Sequence, residues 1–140
     1  MGKKEQTSKI NIKMEKVVVD SDILIDFFRA SKGFFPQLLY LQEEGKIELY
    51  ISSITVFELF SGSSSRREEK LLMETISNFR VIAFDGEIAK LAGEKRRDEK
   101  LTNPIADFII GITSIYLQAE IATRNKDHFK GIKGINFFKL

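Results

Sequence analysis

Three carboxylates in this chain stand among apolar neighbours. Asp20 follows Val17-Val18-Val19, Glu58 lies inside Thr55-Val56-Phe57-Glu58-Leu59-Phe60, and Asp107 lies inside Pro104-Ile105-Ala106-Asp107-Phe108-Ile109. An uncompensated charge in such surroundings costs roughly several kcal/mol, so each must be hydrogen-bonded, protonated or matched by a cation. A fourth, Asp127, comes soon after the apolar stretch Ile121-Ala122. Carboxylate oxygens gathered from distant segments are the donors that Mg²⁺ or Mn²⁺ prefers, with waters completing an octahedron. The chemistry open to Asp20, Glu58, Asp107 and Asp127 is therefore that of a hard-cation site.

The elements that would position them follow from the apolar spacing. Val17 to Val19 reads as a buried strand ended by Asp20, and Ile23, Leu24, Phe27 and Phe28 fall three and four apart in a helix that Ser21 or Asp22 would cap. Phe34 to Leu41 forms a second helix, stopped at Gly45. Ile47 to Ile51 alternates as a strand, and Ser52 and Ser53 open the helix carrying Glu58. A helix around Leu71, Leu72 and Ile76, a strand over 81–84 and a helix capped by Asp85 come next. Asn103 as cap and Pro104 at the first position start the strongly apolar helix of Asp107. A strand over 120–123, a turn over 126–129 and a last strand over 135–138 complete the chain. Strands alternating with helices predict an α/β fold of three layers, α/β/α, with a mostly parallel central sheet of about five strands. In such sheets strand ends and helix starts share the carboxyl edge, which is where all four acids fall.

Length and composition bound the rest. One domain is expected over residues 16–140, preceded by a loose polar arm over 1–15. No apolar run reaches the roughly 18 residues of a membrane span, and no signal-peptide core follows the charged start, so a soluble, cytoplasmic protein is expected. The chain has no cysteine and one histidine, His128, which excludes thiolate and histidine-rich zinc sites. It also lacks the glycine-rich phosphate loops of nucleotide-binding folds and the G-x-S-x-G elbow of serine hydrolases. The formal net charge of +2 is too small to imply nucleic acid; the run 95–100 and the pair Arg66-Arg67 are basic points that could meet phosphates, but each alone reads better as a solvated helix face.

Simpler roles compete at single positions. Thr55 and Glu58 match a capping box. Asp107 would complement a helix N-terminus. Asp26 pairs naturally with Arg29 on a helix face, while Asp22, nearer the edge, would support the site. Phe27, Phe28, Phe34, Phe35, Phe57 and Phe60 either fill the core or leave an apolar groove for a helical partner.

Taken together, Val-Val-Val-Asp20-Ser21-Asp22, Ser-Ser-Ile-Thr-Val-Phe-Glu58, Asn-Pro-Ile-Ala-Asp107 and Ile-Ala-Thr123-Arg124-Asn125-Lys126-Asp127-His128-Phe129 resemble, in order, the four signature segments of PIN-domain nucleases, above all the VapC toxins of toxin–antitoxin pairs. The resemblance covers residues 16–140. It implies that Asp20, Glu58 and Asp107 hold a metal, supported by Ser21, Asp22, Thr123 and Asn125. It further implies an endoribonuclease dependent on Mg²⁺ or Mn²⁺, an RNA substrate, a cognate antitoxin and a homodimer. The fourth segment departs from the family pattern: the places that often hold an acid, after Thr-x and before Phe, carry Asn125 and His128, with Asp127 between them. Asp127 is expected near the metal. Two rivals stand beside this reading, a non-catalytic module of the same fold and an aspartyl-phosphate enzyme of the haloacid-dehalogenase type, whose D-x-D opening Asp20-Ser21-Asp22 imitates.

Overall fold

A computed structural model describes residues 14–140. The arm expected over 1–15 therefore lies, for residues 1–13, outside the described residues, and Glu15 already belongs to the first strand. The elements run β1 (Glu15–Val19), α1 (Ser21–Ala30), α2 (Phe35–Glu43), β2 (Ile47–Ser52), α3 (Ser53–Ser61), α4 (Arg66–Ile76), β3 (Arg80–Ile82), α5 (Gly86–Asp98), α6 (Ile105–Leu117) and β4 (Glu120–Ala122), followed by a 3₁₀ turn, Lys126–Phe129.

Every strand pairing is parallel, in the order β3-β2-β1-β4. Parallel strands buried on both faces read as continuous apolar runs, and β1 shows why. Val17 and Val19 join one core with Leu49, Ile51, Leu24 and Leu38, while Val18 joins another with Tyr50, Ile110 and Ile121. Successive side chains point to opposite faces of the sheet, so α1 and α2 cover one face and α5 and α6 the other. The three-layer α/β/α expectation holds. The sheet has four strands among the described residues, not five: the expected strand over 135–138 meets β4 through one bridge, Ile121 to Phe137. Ile132 and Ile135 instead lean on Gly111 of α6, where a Cβ would sit 3.3–3.4 Å from their methyl carbons and the Phe129 ring.

The caps of α1 and α6 differ from expectation, while those of α3 and α5 match it. Asp20 itself caps α1, accepting from Ser21 N, so the carboxylate that ends β1 also starts the helix. Ser52 caps α3 and Asp85 caps α5. Asn103 does not cap α6; its amide donates to the carbonyls of His128 and Lys130, each at 2.9 Å, because the 3₁₀ turn packs beside that helix start. Of the six clustered phenylalanines, Phe35 is buried and Phe27, Phe28, Phe34 and Phe60 pack against the first core, leaving Phe57 as the exposed one. No helix among the described residues is long and apolar enough to cross a membrane.

Candidate active site

The sheet order makes the site. From β1 the chain crosses to β2 and then β3 on one side, and returns to β4 on the other. The carboxyl ends of β1 and β4 thus flank a topological switch point, where open α/β sheets form their crevices. Register pairs Val19 with Ala122, and Asp20 N donates to Ala122 O at 2.9 Å, so Asp20 and Thr123 emerge side by side.

Asp20 is 3% exposed. Its Oδ1 accepts from Ser21 N at 2.8 Å and its Oδ2 from Thr123 Oγ1 at 2.7 Å. These bonds favour the charged form, yet burial above all, with the charges of Asp22 and Asp107, pushes its carboxyl up to about 7. Asp22, the second residue of α1, is raised by burial although Arg124 N (3.0 Å) and Asn125 Nδ2 (3.1 Å) both donate to its Oδ2. Its Oδ1 is buried and has no hydrogen-bond partner among the described residues. Asp107 is raised as well, by burial first and then by Glu58 and Asp22, while His128 pulls it down.

Glu58 reaches the cluster through Ser21. The Ser21 hydroxyl has one proton, and the carboxylate, an acceptor only, takes it at 2.6 Å. Thr55 Oγ1, fully buried and 3.0 Å from Ser21 Oγ, supplies the other hydrogen of that contact. Glu58 therefore does not turn back on its own helix as a capping box would have it; Ser52 does the capping, and Glu58 is free to face α1.

The structure brings together Asp20, Asp22, Glu58 and Asp107, with Ser21, Thr123 and Asn125 hydrogen-bonded among them. It does not bring in Asp127. That residue is exposed on the 3₁₀ turn, and no hydrogen bond or ion pair among the described residues joins it to the other acids. Within the turn Phe129 is buried in the core beside α6, and the residue before it, His128, is the one that contacts the cluster. His128 Nδ1 lies 3.3 Å from Asp107 Oδ2. Asp26 pairs with Arg124 rather than with Arg29, the partner expected on its own helix, tying α1 to the end of β4.

No three acidic or histidine side chains among the described residues already surround one point closely enough to cage an ion. The donor set nevertheless fits an oxygen-preferring cation. Burial first, and for Asp20 and Asp107 the neighbouring acids as well, hold three carboxylates above their ordinary range, Asp22 Oδ1 is buried with no hydrogen-bond partner among the described residues, and a cation between them would relieve both. Sequence reasoning set Asp22 in support and missed His128; the place of His128 before the buried Phe129 was the available signal.

A groove of about 360 Å³ adjoins the cluster, lined by Ile25, Phe28, Leu59, Leu71 and Leu72, with Glu58 on its wall.

The sequence model of the PIN domain matches residues 17–135. A curated relative, Ribonuclease VapC1 of Methanocaldococcus jannaschii, is 28% identical over 134 residues, covering 93% of this chain and 90% of its own. Among solved structures, a toxin–antitoxin complex from Klebsiella pneumoniae superposes with a TM-score of 0.66 at 27% identity, covering 89% of this chain and 99% of that one. VapBC2 from Rickettsia felis, bound to a DNA fragment from its promoter, superposes with a TM-score of 0.74 at 18% identity, covering 88% and 97%.

Proposed function

The chain belongs to the PIN domain family, and from that premise we propose that it is an endoribonuclease, the toxin of a toxin–antitoxin pair, which hydrolyses RNA phosphodiester bonds at the Asp20–Asp22–Glu58–Asp107 cluster with Mg²⁺ or Mn²⁺. The observation that carries the reading is the convergence of these carboxylates at the switch point, two of them bridged by Ser21 and Thr123 to neighbouring segments. The curated relative's name, a ribonuclease, gives the reaction class, and the toxin–antitoxin structure at 27% identity gives the kind of partner. The aspartyl-phosphate alternative falls with the family.

In this mechanism Asp20, Glu58 and Asp107 would hold the ion, with Asp22 facing them. When bound, the ion lowers the pKa of a water and offsets charge on the phosphate and the leaving oxygen. The chain's own part is to keep Asp20 ionised and aimed, which the Thr123 hydroxyl and Ser21 N do by donating to its two oxygens. Thr55 and Ser21 hold Glu58 on the α1 side of the crevice. Lys126 and Lys130, exposed on the turn beside the site, would meet the RNA backbone.

The same reading assigns the groove beside Glu58 to an apolar helix of the antitoxin, whose occupancy would cover that side of the cluster. It also includes pairing with a second copy, a single domain over 16–140 and a cytoplasmic location. The test is cleavage of a structured RNA by the purified chain. Cutting is expected with Mg²⁺ or Mn²⁺, lost on chelation, and lost in Asp107→Asn; metal-independent cutting, or cutting by that variant at the wild-type rate, refutes the reading.

A further inference from the structure

His128 stands one residue before Phe129, and the fold fixes it there from three sides. Its N–H donates to Asn125 O at 3.0 Å, and its carbonyl accepts from Asn103 Nδ2 at 2.9 Å, which ties the turn to the start of α6, one turn from Asp107. The next residue, Phe129, is 2% exposed and anchors the turn in the second core. The imidazole is thereby delivered to Asp107, Nδ1 to Oδ2 at 3.3 Å, with its ring about half exposed and open to a further ligand.

Two donor atoms at that separation match neighbouring corners of an octahedron, which lie about 3 Å apart for an ion held at about 2.1 Å. Resting on the nuclease reading above, we propose that His128 is a metal ligand beside Asp107, and that its nitrogen makes this site select Mn²⁺ over Mg²⁺. An acid at this corner would give the all-oxygen shell that Mg²⁺ favours. An imidazole replaces one hard donor by a borderline one, which transition ions accept readily and Mg²⁺ does not. The neighbouring acid, Asp127, is exposed and makes no hydrogen bond or ion pair to the other acids among the described residues.

The chain contains a single histidine, so any imidazole nitrogen bound to an ion has one possible source. The experiment uses the untagged full chain loaded with Mn²⁺ and read by electron spin-echo spectroscopy, with Mg²⁺ competition measured in parallel. Nitrogen modulation from one imidazole is expected, absent in His128→Asp and His128→Gln. The preference for Mn²⁺ over Mg²⁺ is expected to fall about tenfold or more in His128→Asp. Bound Mn²⁺ without nitrogen modulation, or an unchanged preference in His128→Asp, overturns the assignment while leaving RNA cleavage and the nuclease reading standing. A wild-type chain that binds no Mn²⁺ and cuts no RNA overturns both.

Discussion

Replacing Asp20 by Asn should stabilise the metal-free protein while ending its activity. Asp20 is 3% exposed and its carboxyl is pushed from 3.8 to about 7, chiefly by burial and then by Asp22 and Asp107. The folded state therefore binds the proton more tightly than the unfolded chain. Between about pH 4 and about pH 7 it carries more protons, so stability falls as pH rises through that window. About three units at 1.36 kcal/mol each amount to about 4 kcal/mol lost above the upper limit. Asn has no such titration, and its amide can keep the bond from Ser21 N and donate to Thr123 Oγ1 in place of accepting from it. Urea unfolding in chelator at pH 4, 5, 6, 7 and 8 should show near-equal stabilities at pH 4. The advantage of Asp20→Asn should then grow by about 1.4 kcal/mol per pH unit and level off above about pH 7. Saturating Mn²⁺ should raise the wild type far more than the variant. A difference between the two proteins that does not change with pH would refute the placement of a strained carboxylate at the end of β1.

Ser21→Ala removes the hydroxyl between Thr55 and Glu58, leaving a buried threonine with a lost partner; a loss of about 1–2 kcal/mol by chemical denaturation is expected, with cleavage reduced at least about tenfold as Glu58 is released. Asn125→Ala removes a donor to Asp22 and should raise the Mn²⁺ concentration needed for half-maximal cleavage, whereas Asp127→Ala should leave it within error. Thr123→Val deletes a bond that holds the Asp20 carboxyl down, so its titration should rise and the acid limb of the pH–rate profile should move to higher pH. Steady-state rates from pH 5 to 9 report the shift.

The fold was legible because its signals are periodic. Val17 to Val19 and Ile47 to Ile51 could only be buried strands in a covered sheet, and the long apolar stripe of α6 could only lie in a core. Asp20, Glu58 and Asp107 stood out for the same reason, as charges inside those runs. What the sequence hid depends on where a side chain turns once the backbone is placed. Nothing in Thr55-Val56-Phe57-Glu58 tells a capping box from a carboxylate bonded to Ser21, thirty-seven positions away. Nothing in Asn125 to Phe129 says that His128 rather than Asp127 contacts Asp107; that is decided by how the turn packs beside α6. Asn103 likewise had the composition of a cap, and lost that role because the 3₁₀ turn offered its amide two carbonyls.

The central claim is that one cation seats between the ends of β1 and β4 and the head of α6. An anomalous difference map from crystals grown with Mn²⁺ tests it directly. The account predicts a peak within coordination distance of carboxylate oxygens from both Asp20 and Asp107, absent in crystals of Asp107→Asn. A peak held by surface acids elsewhere, or an ion bound at Asp127 and away from Asp20, would contradict it.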